Sequence, residues 1–144
     1  MTDVKMPARR PLSAIVAALA LLPVFAQAQD WALGGMDAVA YQADGQAREG
    51  RSDLVTEWQG LSWHFASERN RALFEANPRA FVPAFDGYCV VSLSEGRIEP
   101  GDPRAFVVHD GQLYLMRSLA AREQFLAGAT AVIALAQRNY GRLH

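Results

Sequence analysis

Apolar and polar positions alternate along two stretches of the chain in a pattern that predicts hairpins. Residues 54–58 and 61–65 are rich in apolar and aromatic side chains, and Gln59-Gly60 separates them; two such runs across a two-residue break form a β-hairpin. Because side chains alternate across a strand, Leu61, Trp63 and Phe65 belong to one face and Ser62 and His64 to the other. The second hairpin is clearer. Residues 105–109 and 112–116 flank Asp110-Gly111, a dipeptide that favours the two-residue type I′ turn.

Between and after the hairpins the period changes to that of helices. Ser67 is placed to cap a helix over 68–77, with Leu73, Phe74 and Ala76 on its apolar stripe and Glu68, Arg69 and Arg71 facing water. Asn77-Pro78 ends it, and Pro78 opens a further short helix through Val82. Ahead of the first hairpin, Gly34-Gly35 opens the domain, and residues 37–41 fit a short helix capped by Asp37, the favoured reading, or an extended segment. Residues 88–94, YCVVSLS, lie between Gly87 and Gly96 and fit a buried strand or a helix. Ser118 caps a helix over 119–126, Gly128 breaks it, and 129–138 form a last apolar helix ending near Gly141. No internal repeat is legible. The sum is an α+β fold: a small single domain with two β-hairpins and about four short helices.

The first 28 residues follow a different rule. Lys5, Arg9 and Arg10 precede fourteen uncharged residues, 12–25, and then Ala26-Gln27-Ala28. Basic, apolar and small-residue segments in that order read as a secretory signal peptide, cleaved before Gln29. The apolar run is shorter than the ~20 residues of a spanning helix, so no stable membrane anchor is expected after cleavage. Arg9-Arg10 also resembles a twin-arginine export signal. The expected location is the periplasm or the exterior, and the expected working domain is 29–144. That domain retains 11 arginines against 14 acids, a net charge of −3, and has lost the only lysine. A Schiff-base or P-loop lysine is thereby excluded, and the acidic balance gives no footprint for nucleic acid.

Candidate chemistry centres on one thiol. Cys89 is the only cysteine; in an exported chain it is a packed hydrophobe, a metal ligand, or a link to a protein partner. If 88–94 is helical, Cys89 lies at its start, where backbone N–H groups favour a thiolate. His64 is the best-placed second ligand, His109 adjoins the Asp110-Gly111 turn, and His144 is the last residue. These are too few for a closed structural zinc site without carboxylates or a second chain, whereas thiolate suits copper(I) at low coordination number. The carboxylates Asp37, Glu57, Glu75, Asp86, Glu95 and Asp102 show no catalytic spacing and are expected in solvent. No nucleophile–base pair is legible, so no catalytic residue is assigned.

From Gly35 to Ser118 the chain resembles the YHS domain family in its exported bacterial branch. The resembling stretches are Met36-Asp37-Ala38-Val39-Ala40-Tyr41, Leu61-Ser62-Trp63-His64-Phe65-Ala66-Ser67-Glu68-Arg69-Asn70, Phe74-Glu75-Ala76-Asn77-Pro78, Pro83-Ala84-Phe85-Asp86-Gly87-Tyr88-Cys89, Gly101-Asp102-Pro103 and Asp110-Gly111-Gln112-Leu113-Tyr114-Leu115. The resemblance implies kinship with small cysteine-based metal-binding modules, found for instance beside copper-transporting ATPases. Two departures stand out. Ala66 occupies a position where such modules carry a cysteine, and Asp86 one where this branch carries glycine.

Three readings of function follow. One is a metal-associated module holding copper or zinc through Cys89 with His64. Another is a non-catalytic interaction or small-ligand module with Cys89 merely packed. The last is a thiol redox protein, which requires an exposed Cys89. The surroundings of Cys89 discriminate among them.

Overall fold

A computed structural model describes Ala8 and residues 30–144. The expected signal segment, its cleavage site and the twin-arginine pair lie outside the described residues. What is described is a small α+β fold with two two-stranded antiparallel sheets and several short helices. In chain order it comprises α1 (Ala40–Ala43), β1 (Arg51–Trp58), β2 (Leu61–Phe65), α2 (Glu68–Ala76), α3 (Val90–Ser94), β3 (Asp102–His109), β4 (Gln112–Met116), α4 (Leu119–Ala127) and α5 (Ala129–Leu143). Short 3-10 turns at Ala32–Gly35, Pro78–Ala80 and Ala84–Gly87 complete it. No single helix among the described residues is long and apolar enough to cross a membrane.

Both hairpins form where the pattern places them. Trp58 pairs with Leu61 and His109 with Gln112, and both residues of each turn adopt positive φ, Gln59 and Gly60 in one, Asp110 and Gly111 in the other. That is the backbone a type I′ turn requires. Ser67 and Ser118 cap their helices, each Oγ accepting an N–H at 3.1 Å, from Asn70 and Ala121 respectively. Of residues 88–94, Val90–Ser94 resolve as helix with Cys89 at the cap position, while Tyr88 and Cys89 are extended and bridge to Pro100 and Leu115.

The absence of a repeat in the sequence is corrected by the structure. Strands β1 and β3 begin 51 residues apart, as do β2 and β4, and α2 and α4. Each hairpin is preceded by a left-handed turn, at Leu33–Gly34–Gly35 and at Phe85–Asp86–Gly87, where all six residues have positive φ. The same backbone bonds tie each turn to its strand. Asp37 N–H donates to the Arg48 carbonyl and Cys89 N–H to the Glu99 carbonyl, both at 2.8 Å; Gly50 N–H reaches the Gly35 carbonyl at 2.8 Å and Gly101 N–H the Gly87 carbonyl at 2.9 Å. The fold is therefore two copies of one turn–helix–hairpin–helix unit, followed by α5.

Each copy has its own core. In the first, Phe65 and Phe74 pack with Trp63, Tyr41 and Val39; in the second, Phe125 packs with Tyr114, Met116 and Leu93. Phe74 and Phe125 are equivalent and both fully buried. Leu113 and Leu115 of β4 extend into the first core, and the Tyr41 hydroxyl donates to the Pro103 carbonyl at 2.8 Å. These contacts join the two units.

Three local expectations are corrected, and one strand face that the pattern left open is defined. Leu73, assigned to the apolar stripe of α2, is 42% exposed, and Phe74 alone anchors that helix. The helix near Asp37 begins at Ala40 rather than at residue 37. The Ser62–His64 face of β2 is as buried as its partner face, because Trp31 bridges to Ser62 and lies over His64. Helix α5 runs through Gly141 to Leu143, held because Asn139 Nδ2 donates to the Leu93 and Ser94 carbonyls at 2.8 and 3.1 Å. The Leu93 carbonyl also accepts Gly96 N–H at 3.0 Å, so the amide adds a second bond there and caps the Ser94 carbonyl at the C-terminus of α3.

Candidate functional site

Asp37 is the largest departure from expectation. Expected in solvent, it is fully buried. Its Oδ1 accepts from the N–H groups of Val39 and Ala40 at 2.8 and 3.3 Å, and its Oδ2 from Ala66 N–H at 2.8 Å and Asn70 Nδ2 at 2.7 Å. A carboxylate leaves water at low cost only when such donors replace its hydration. Asp37 thereby clamps the start of α1 to the β2–α2 junction. It is a structural hub with no free lone pair directed at a ligand.

Cys89 holds the equivalent place in the second unit. It is 0% exposed, sits among Val90, Leu93, Met116 and Phe125, and its Sγ accepts from Ser92 N–H at 3.4 Å. Arg117 Nη1 lies 3.9 Å from the sulfur and donates to Ser92 Oγ at 2.8 Å; Ser92 Oγ in turn donates to Glu99. The hydrogen bond from Ser92 and the Arg97 guanidinium hold the Glu99 carboxyl below its usual range. A thiol redox role requires an exposed sulfur, and this one is sealed. Asp86, in the middle of the second turn, pairs with the Tyr140 hydroxyl rather than with the thiol.

His64 lies in different surroundings. It faces a cleft of about 360 Å³ walled by Trp31, Met36, Glu49, Ser52 and Arg104 together with three glycines. The structure thus puts His64 in an open cleft and Cys89 inside the second core, and no hydrogen bond or ring contact joins them. No group of three or more His, Cys, Asp and Glu side chains able to hold a metal occurs among the described residues. His109 packs its ring against Phe125 at 6.0 Å, and His144 lies over Tyr140 at 4.2 Å.

The cleft is built by close backbone approach. Gly50 passes so near β2 that a Cβ there would lie 2.5 Å from the His64 carbonyl carbon. The β1–β2 register shifts between Arg51 and Val55, as the β3–β4 register does between Asp102 and Phe106, so the bulge belongs to the frame both units share. His64 is only 5% exposed, yet its ring nitrogens have no hydrogen-bond partner among the described residues and neither is sealed from solvent. Part of its small accessible surface lies at the ring nitrogens. A neutral imidazole presents one donor and one acceptor there. Trp31, 53% exposed, sets its ring 4.5 Å from that of His64 at 44°.

The second unit supplies an internal control. Leu115 is the counterpart of His64, Gly101 presses on it as Gly50 does on His64, and Leu115 is 2% exposed within the core. The same backbone frame thus accepts a sealed leucine in one copy and carries an open imidazole in the other. Trp31, Glu49 and Arg104 carried no signal in the sequence. They meet only because the first turn, the β1 edge and β3 converge. Comparison with known proteins finds no matching family model, no matching curated protein and no matching solved structure.

Proposed function

We propose that this chain is a non-catalytic small-ligand module whose binding site is the His64 cleft, with Cys89 a packed core residue. One observation carries the reading. The fold unit needs no histidine at this position, as Leu115 demonstrates, and His64 nevertheless keeps both ring nitrogens open to a cleft. Polar atoms that border a cleft hydrogen-bond to water, and a ligand that reproduces those bonds can take the water's place. A volume of about 360 Å³ falls at the small end of the ~300–1,000 Å³ range of small-molecule sites. In the same proposal the module is an exported member of the YHS-like group, made with the expected signal peptide and acting outside the cytoplasm.

The test is a small-fragment screen by ligand-observed NMR on residues 29–144, comparing the parent protein with His64→Leu and Cys89→Ala. His64→Leu copies the counterpart residue and is expected to keep the fold. The reading expects hits on the parent that persist in Cys89→Ala and vanish in His64→Leu. Hits lost in Cys89→Ala but retained in His64→Leu would overturn it.

A further inference from the structure

The ionic groups of the His64 cleft are one of each sign, and they touch. Arg104 Nη2 lies 3.5 Å from Glu49 Oε1, with side chains 66% and 79% exposed. An exposed ion pair of this kind is worth only about 0–1 kcal/mol, so exchanging its partners costs little. A ligand carrying a single charge meets one attractive and one repulsive member of the pair. A ligand carrying both charges on neighbouring atoms satisfies both members and leaves the site neutral. An α-amino acid is such a ligand, since its carboxylate and ammonium hang from one carbon. The guanidinium matches the carboxylate with two parallel N–H donors, and the Glu49 carboxylate takes the ammonium.

The remaining wall selects the side chain. Trp31 offers an exposed indole face beside the tilted His64 ring, and offset or tilted stacking is the preferred geometry for a third flat ring. Gly34, Gly35 and Gly50 keep side-chain bulk out of the cleft, so a flat group can lie close to the backbone. The volume fits one such molecule and excludes a folded peptide.

We propose, building on the small-ligand reading above, that the cleft binds a free α-amino acid with a flat side chain. Its carboxylate lies on Arg104, its ammonium on Glu49, its side chain against Trp31 and its polar edge toward His64.

The test is isothermal titration of residues 29–144 at low ionic strength with four probes: phenylalanine, histidine, 3-phenylpropionate, which lacks the amine, and phenethylamine, which lacks the carboxylate. The proposal expects at least one free amino acid to bind and both charge-deleted analogues to bind at least tenfold more weakly. Glu49→Gln is expected to weaken amino-acid binding without affecting 3-phenylpropionate, and Arg104→Gln to do so without affecting phenethylamine. Both side chains are exposed, so neither variant threatens folding. Equal binding of a charge-deleted analogue, or amino-acid binding indifferent to both variants, would overturn the zwitterion assignment. So would no binding of any probe alongside His64-dependent fragment hits, and in that case the small-ligand reading stands. Silence in both experiments overturns the two together.

Discussion

Asp37 and Cys89 are structural counterparts, each the first residue after the left-handed turn and its bridging residue in its own unit. Each backbone N–H donates at 2.8 Å to the corresponding strand carbonyl, and each side chain is fully buried. What differs is the donor supply. In the first unit the β2–α2 junction directs Ala66 N–H and the Asn70 amide at the carboxylate. In the second, Ala121 stands in place of Asn70, and the sulfur accepts Ser92 N–H at 3.4 Å with Arg117 Nη1 3.9 Å away. The charged acceptor sits where four donors converge, and the weak acceptor where few do.

That asymmetry sets an expectation for stability. Asp37→Ala strips four donors of their acceptor and is expected to cost about 3 kcal/mol or more, because buried donors left unpaired carry their full desolvation penalty. Cys89→Ala removes one buried sulfur and is expected to cost about 1–2 kcal/mol through lost packing. Urea denaturation monitored by circular dichroism separates the two. Equal losses would show that Asp37 is not the hub its bonds describe.

The glycines separate in the same way. A Cβ on Gly50 would press on the His64 backbone at 2.5 Å, whereas Gly60, with φ of 75°, has open space around it. Gly60→Ala therefore costs only left-handed strain, about 1 kcal/mol. Gly50→Ala is expected to cost about 2–3 kcal/mol as an overpacked contact, and also to change the environment of Trp31. Denaturation midpoints and tryptophan emission measure both effects. A Gly50→Ala protein as stable as Gly60→Ala would contradict the tight crossing that shapes the cleft.

Alkaline pH probes the attachment of α5. The bond to Asp86 and the nearby negative charge push the Tyr140 phenol up from 10 to about 12. The neutral phenol is thus favoured in the folded state. Its contribution is fully present below pH 10 and is lost as pH rises from 10 through about 12. Burial also raises Tyr41 and Tyr114, so an alkaline loss persists without Asp86. Asp86→Asn is expected to move one tyrosine back toward pH 10 in an ultraviolet titration at 295 nm, and to flatten part of the stability decline between pH 10 and 12. An unchanged titration would show that the Asp86–Tyr140 bond does not form in solution.

Both hairpins were legible in the sequence because their signals are local. Gln59-Gly60 and Asp110-Gly111 encode the turn, and alternation encodes the strands on either side. The serine caps at Ser67 and Ser118 are equally local. The repeat was not legible because the two units share few identities, among them Gly35 and Gly87, Gly50 and Gly101, Ser67 and Ser118, Phe74 and Phe125. These are the positions where backbone conformation, capping or a core anchor is required. Elsewhere the two cores are filled by different side chains. For the candidate site, His64 stood out as a polar residue on a patterned strand, and its ring does line a cleft. Trp31, Glu49 and Arg104 were invisible as a set, since they come from separate segments.

By itself the sequence determined the α+β class, the positions of both turns, the serine caps and the singularity of the thiol. Each depends on a few neighbouring residues and on backbone preferences that hold in any context. Only the tertiary structure decided which polar groups leave water. Asp37 is buried because donors from the β2–α2 junction converge on it, Cys89 is sealed because the second core closes around it, and His64 borders a cleft because Trp31, Glu49 and Arg104 meet around it. Burial of a charge or a thiol is a property of what surrounds it, and those surroundings are assembled from residues distant along the chain.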